Sequence, residues 1–166
     1  MSIGFSADEV FKIGMEVELN GEAFYDAALE LCKARETKKT IKYLRDEEQK
    51  HYATFALMRD QLPAAARAAT VFDPDGQMAA YLKALADSRV FTNENQAADI
   101  ARKCKSPEEV LQVALRFEKD SVLMFQAMKE GTKPEWGQDK IDLLVEAEKE
   151  HIRRINALLA KTGSAG

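Results

Sequence analysis

Glu48-Gln49-Lys50-His51 recurs one hundred positions later as Glu148-Lys149-Glu150-His151, and the reading of the whole chain works outward from that doubled stretch. Glutamate and histidine three residues apart share one face of a helix. Here that face is otherwise apolar. Around the first pair the 3–4 spaced stripe is Ile41, Leu44, Glu48, His51, Phe55, Met58, and adding 100 gives Ile141, Leu144, Glu148, His151, Ile155, Leu158. The segment before each pair repeats as well: Phe11, Gly14, Glu18, Gly21, Tyr25, Ala28 against Leu111, Ala114, Glu118, Ser121, Phe125, Met128. The chain therefore contains two helical hairpins of one design.

Four long amphipathic segments follow from these stripes: 7–34, 38–62, 107–130 and 137–161. At 1.5 Å per residue each is on the order of 35 Å long. Strand signals are nearly absent, and Ala, Leu, Glu, Lys, Met and Arg dominate, so the fold class is all-α. Ser6 with Glu9 predicts a capping box, and Phe5 with Val10 a hydrophobic staple. Ser106-Pro107-Glu108-Glu109 predicts the same box with proline at the first helical position. Turn chemistry at Thr37 to Thr40, at Pro63, in Asp73-Pro74-Asp75-Gly76 and in Gly131-Thr132-Lys133-Pro134 separates the elements. The expected architecture is one domain over 1–166: a hairpin at 7–62, a crossover at 63–106, and a hairpin at 107–161. The crossover is too long for a tight turn and carries two shorter helical patterns, 77–88 and 94–104. It can run the length of a bundle and lay the second long helix parallel to the third.

With 166 residues, 46% of them hydrophobic, the chain can bury one sizeable core, which excludes disorder. A formal net charge of −4 without a Lys/Arg block argues against nucleic acid and anionic lipid as partners. No stretch approaches the roughly 20 apolar residues of a membrane span, and the start lacks secretory character. Cys32 and Cys104 form no CxxC pair, and their scarcity fits a reducing cytoplasm.

Glu18, Glu48, Glu118 and Glu148 stand where core leucines belong, with His51 and His151 one turn along. A lone ionised carboxylate in a dry core costs several kcal/mol, and four together also repel one another. Protons or cations must neutralise such a set. A single E-x-x-H on a charged helix usually marks a solvated face. Glutamate, however, is 17 of 166 residues, so both histidines would follow one by three positions only about once in a hundred chains. Two Glu-x-x-His pairs plus two single glutamates supply the six ligands of a dinuclear carboxylate site. Oxygen and imidazole donors suit iron or manganese and accept zinc or cobalt.

These residues carry a resemblance. The chain resembles the ferritin-like di-iron proteins of the rubrerythrin family: ELNGEAFY from Glu18 to Tyr25 is similar to the first-helix ligand motif. The pairs Glu48–His51 and Glu148–His151 resemble its two E-x-x-H motifs, and Glu118 in RFEKDS its third-helix ligand. The resemblance implies a ferritin-like four-helix bundle holding two metal ions, iron first, with manganese or zinc as alternatives. The bridging carboxylates would include Glu48 and Glu148, or Glu118 and Glu48. It also implies an oxidoreductase that reacts with O₂ or hydrogen peroxide and is re-reduced by an external donor such as a rubredoxin-like protein. The alternatives are a ferroxidase or iron-handling protein and a non-catalytic, metal-stabilised binding module. A homodimer is expected. Two departures weigh on the peroxidase reading: the four-cysteine rubredoxin domain is missing, and Ser121 stands where many members have a further glutamate.

Tyr25 lies two turns from Glu18 and is a candidate hydrogen-bond donor to a ligand carboxylate. Glu22 lies about 40° round from Glu18 on an ideal helix and is a candidate extra carboxylate. Its repeat-mate is the apolar Val122. Met15, Met58, Met124 and Met128 read as core packing, Cys32 as a small buried hydrophobe, and Trp136 as an anchor for the fourth segment.

Overall fold

The computed structural model describes residues 5–68 and 73–163. Its helices are α1 (Ala7–Leu31), α2 (Arg35–Asp60), α3 (Ala64–Ala68), α4 (Gln77–Ser88), α5 (Glu94–Lys103), α6 (Pro107–Glu130) and α7 (Gln138–Gly163), with a 3-10 turn at Pro134–Trp136. The long helices α1, α2, α6 and α7 form the bundle. α1 packs on α2, α6 packs on α7, and the two hairpins meet through α1 on α6 and α2 on α7.

Ring contacts set the directions. Phe11 of α1 faces Phe55 of α2 with centroids 6.5 Å apart, and Gly21 faces Glu48, so these helices are antiparallel. Val10 and Met128 line one small cavity and Tyr25 reaches Glu118, so α1 is antiparallel to α6 as well. α2 and α6 therefore run parallel, in agreement with the contact of Phe55 with Phe125 at 5.1 Å. The crossover makes this possible. Its α5 lies along α1, and Phe91, just before α5, inserts its ring between Phe24 (4.8 Å) and Phe117 (5.0 Å).

Helix starts follow local chemistry. Ser6 and Glu9 form a complete capping box, with Ser6 N–H donating to Glu9 at 2.7 Å. The box at Ser106 is only half made. Ser106 Oγ accepts from Glu109 N–H, but the Glu109 carboxylate takes the N–H of Lys105 instead. At α4 the Asp73 carboxylate accepts from the N–H groups of Met78 and Ala79, and Gly76 supplies the left-handed turn at φ 67°.

The first hairpin turn differs from the sequence expectation. α1 ends at Leu31 and α2 begins at Arg35, so the link is only Cys32 to Ala34, and Thr37 to Thr40 lie inside α2. Thr37 is buried, and that packing outweighs the turn preference of the threonine cluster. The fourth long helix likewise starts at Gln138 and continues to Gly163. Residues 69–72 of the crossover and 164–166 of the expected frayed tail lie outside the described residues. Met58, Met124 and Met128 are core residues, and Met15 packs against them half-buried. Trp136 is half-buried in the 3-10 turn ahead of α7, with the Lys133 ammonium 4.8 Å from its ring. No helix among the described residues is long and apolar enough to cross a membrane.

Candidate metal centre

Each bundle helix contributes to one buried cluster: Glu18 from α1, Glu48 and His51 from α2, Glu118 from α6, and Glu148 and His151 from α7. None is more than 5% exposed. Their donor atoms fall into two overlapping groups of four, each with atoms within 4.8 Å of one another. One group is Glu18, Glu48, His51 and Glu148; the other is Glu48, Glu118, Glu148 and His151. Glu48 and Glu148 belong to both. Each of the remaining four residues belongs to one, so each group has one histidine and one glutamate of its own.

The distances show how Glu148 straddles the cluster. Its Oε1 lies 2.9 Å from His51 Nδ1, and its Oε2 lies 3.1 Å from His151 Nδ1. His151 Nδ1 is also 3.1 Å from Glu118 Oε2, while His51 Nδ1 is 3.6 Å from Glu18 Oε2. The two imidazoles stack at 5.4 Å, 16° from parallel. Tyr25 donates its hydroxyl to the other oxygen of Glu118. By contrast, neither oxygen of Glu18, Glu48 or Glu148 has a hydrogen-bond partner. Buried polar atoms are rarely left so, and six carboxylate oxygens without donors are what a cation site requires.

The electrostatics say the same. Burial pushes Glu18 and Glu48 well above the carboxylate range, and the neighbouring glutamates add to the shift. Burial and the charge of Glu148 push Glu118 up to about 8. Burial also acts to raise Glu148, but its close contacts with Glu118, His151 and His51 outweigh it and hold this carboxyl well below its ordinary value. Burial disfavours the His151 cation, yet Glu118 and Glu148 push its pKa up to about 12. His51 is raised for the same reason, chiefly by Glu148. Without cations, protons held by the glutamates and imidazoles must offset the charge that this burial disfavours.

Close packing holds the cluster. A Cβ on Gly21 would collide with the Glu48 carboxylate and come within 2.6 Å of Phe117 Cζ, so only glycine lets α2 and α6 approach α1 here. The Phe117 ring lies beside the Glu48 carboxylate at Gly21, and Phe55 and Phe125 are buried against each other further along the bundle.

Of the two flanking candidates, Tyr25 lies in the site and Glu22 lies outside both donor groups. The Glu22 carboxylate accepts from Gln49 Nε2 at 2.6 Å on the exposed edge between α1 and α2, because the drift of the helix carries it off the buried stripe. Sequence reasoning missed Tyr43, whose ring meets His151 edge-on at 6.0 Å with the Arg154 guanidinium over its outer face. It also missed Glu47, which groups with both histidines but pairs with Lys50 at 2.5 Å. Both sit one residue or one turn off the apolar stripe, where no pattern marks them. Neither cysteine enters the cluster. Cys32 and Cys104 close α1 and α5 as free thiols, both pushed up by burial.

No family model and no curated protein sequence matches the chain. A solved structure does: a Thermotoga maritima protein provisionally described as a ferritin-like diiron-carboxylate protein, determined at 2.30 Å resolution. The two share a TM-score of 0.72 and 24% identity over 96% of this chain and 97% of that one. At that identity the likeness establishes the fold, which is ferritin-like.

Proposed function

We propose that the chain is a dinuclear carboxylate metalloprotein, with iron as its metal, that reduces hydrogen peroxide or O₂ in the manner of the rubrerythrins. The observation that carries this reading is the pair of overlapping four-donor groups sharing Glu48 and Glu148. The six orphaned oxygens of Glu18, Glu48 and Glu148 support it, since protein donors satisfy none of them. On this reading Glu18 and His51 would hold one ion, Glu118 and His151 the other, and Glu48 and Glu148 would be available to both. Bound iron would supply the two electrons that, with two protons, convert one hydrogen peroxide to two waters. Tyr25 orients Glu118 through its hydroxyl. Burial of all six donors would keep bulk water out, and an external donor such as a rubredoxin-like protein would return the electrons.

The test is metal loading followed by rapid mixing. Anaerobic titration with Fe(II) should saturate at two ions per chain, and the loaded protein should turn over peroxide steadily with a reductant. One ion per chain, or two that react with neither peroxide nor O₂, would overturn the proposal.

A further inference from the structure

Glu47 is a donor that the two four-membered groups leave unused. Its carboxylate and one ring nitrogen from each of His51 and His151 lie within 4.8 Å of one another, which makes a third donor group. Tyr43, Glu47 and His51 are spaced by four on α2 and share one face. That face is turned to α7: the Tyr43 ring meets His151 at 6.0 Å, and the two imidazoles stack at 5.4 Å. Exposure rises in one direction along the group. The His151 side chain is 1% exposed, His51 6% and Glu47 18%. The third group thus leads from the buried cluster towards solvent.

The histidines join it to the cluster. Each Nδ1 is turned to cluster carboxylates, 2.9 Å from Glu148 for His51, and 3.1 Å from both Glu118 and Glu148 for His151. The opposite nitrogen of His151, Nε2, is buried with no partner, an uncommon state for a buried polar atom. Glu47 is paired instead with Lys50, whose ammonium lies 2.5 Å away on a side chain 70% exposed. An exposed pair of this kind is weak, so a divalent cation can displace the ammonium. The other cation on this face, Arg154, is held over the Tyr43 ring and by Glu150 at 3.1 Å. The second hairpin has no counterpart, since Leu143 and Ala147 stand where Tyr43 and Glu47 stand in the first.

We propose that Glu47, with the imidazoles of His51 and His151, is a receiving site through which divalent metal ions enter the cluster. A carboxylate and two imidazoles suit a first-row divalent ion, and three protein donors leave coordination positions for water. Glu47 and the imidazoles would replace part of an ion's water before the buried carboxylates replace the rest. A neutral imidazole has a single lone-pair nitrogen. A histidine that commits Nδ1 to the cluster therefore carries its proton on Nε2 and has no donor left for a third ion. The receiving site is used in transit and adds nothing to the capacity of the cluster. The inference rests on the dinuclear reading above and adds where the ions enter.

Zinc uptake and release test it, with a fluorescent chelator reporting the free ion. A residue used only in transit changes the barrier and leaves both end states alone, so it alters the two directions equally. Glu47→Gln keeps the shape and removes the charge. It should slow zinc uptake by the metal-free protein and zinc release from the loaded protein by the same factor, about tenfold or more. The number of ions bound and the equilibrium affinity should match the wild type. Asp46→Asn removes a neighbouring charge that is held by Arg45 and lies outside the donor groups, and should leave both rates within about twofold of wild type. Uptake by Glu47→Gln within about twofold of wild type would overturn the proposal. Slower uptake with unchanged release would also overturn it, by making Glu47 a ligand of the filled site. So would equal slowing in Asp46→Asn, which would reduce the effect to general attraction of cations. A wild-type chain that binds a single zinc would sink the dinuclear reading, while the two rates would still decide whether Glu47 admits that ion.

Discussion

A Cβ added at Gly14 would come within 2.8 Å of the Phe55 ring, and one added at Gly21 would strike the Glu48 carboxylate and the Phe117 ring. The two glycines pose the same steric problem at different distances from the cluster. Overpacking of this kind costs about 1–3 kcal/mol. Gly14→Ala and Gly21→Ala are both expected to lower the melting temperature of the metal-free protein. Only Gly21→Ala should also weaken metal binding, because only there does the new methyl displace a donor carboxylate. Zinc titration of the two variants separates these outcomes, and equal affinities would remove Glu48 from the ligand set. Tyr25 tests the other end of the cluster. Tyr25→Phe deletes the hydroxyl that donates to Glu118, so the loaded protein should lose about 1–3 kcal/mol. Chemical denaturation with metal bound measures that loss, and an unchanged midpoint would leave Tyr25 with packing alone.

At the scale of elements, the crossover is tied to the bundle by α5 along α1, by α4 on α6 and by the Phe91 ring between them. Phe91 is 1% exposed between Phe24 and Phe117, and truncating a buried phenylalanine costs about 3–5 kcal/mol. Phe91→Ala should therefore destabilise the whole chain rather than merely release α5, and a single cooperative melt at lower temperature would show it. A separate early transition would show that α5 docks independently. The bundle helices were legible because each carries an apolar stripe long enough to fix its period, and the hundred-residue repeat aligned the two hairpins. The six buried donors were legible because carboxylates interrupt those stripes. Which two glutamates are shared was not, since it depends on how four helices converge. The Phe91 wedge and Tyr43 were invisible for a related reason: they lie on a connector or off the stripe, and only tertiary packing places them. The threonine turn failed where burial of Thr37 extended α2 backwards.

At the scale of the molecule, the cluster couples stability to pH and to metal in opposite senses. In the metal-free protein Glu18, Glu48 and Glu118 have folded pKa values above the ordinary carboxylate value, Glu118 near 8. Between that ordinary value of 4.5 and the raised ones, the folded state holds protons that the unfolded state has released. Stability must then fall as pH rises across this window, by about 1.4 kcal/mol per pH unit for each such proton. His51 and His151, raised from 6.5, act in the same direction: their contribution is complete below that value and is lost as pH rises through the folded pKa, about 12 for His151. Glu148, held low, contributes above 4.5 and loses its part only in strong acid. The net expectation is a metal-free protein more stable near pH 5 than near pH 8. Metal reverses the trend, because an ion must displace those protons, so affinity rises with pH and binding releases protons. Chelation at pH 8 should therefore lower the melting temperature by more than chelation at pH 5.5. Calorimetric titration with zinc, in buffers of differing ionisation enthalpy, should report protons leaving. A chelated protein whose stability is flat from pH 5 to 8, with no proton release on loading, would mean that these glutamates are not buried together in solution.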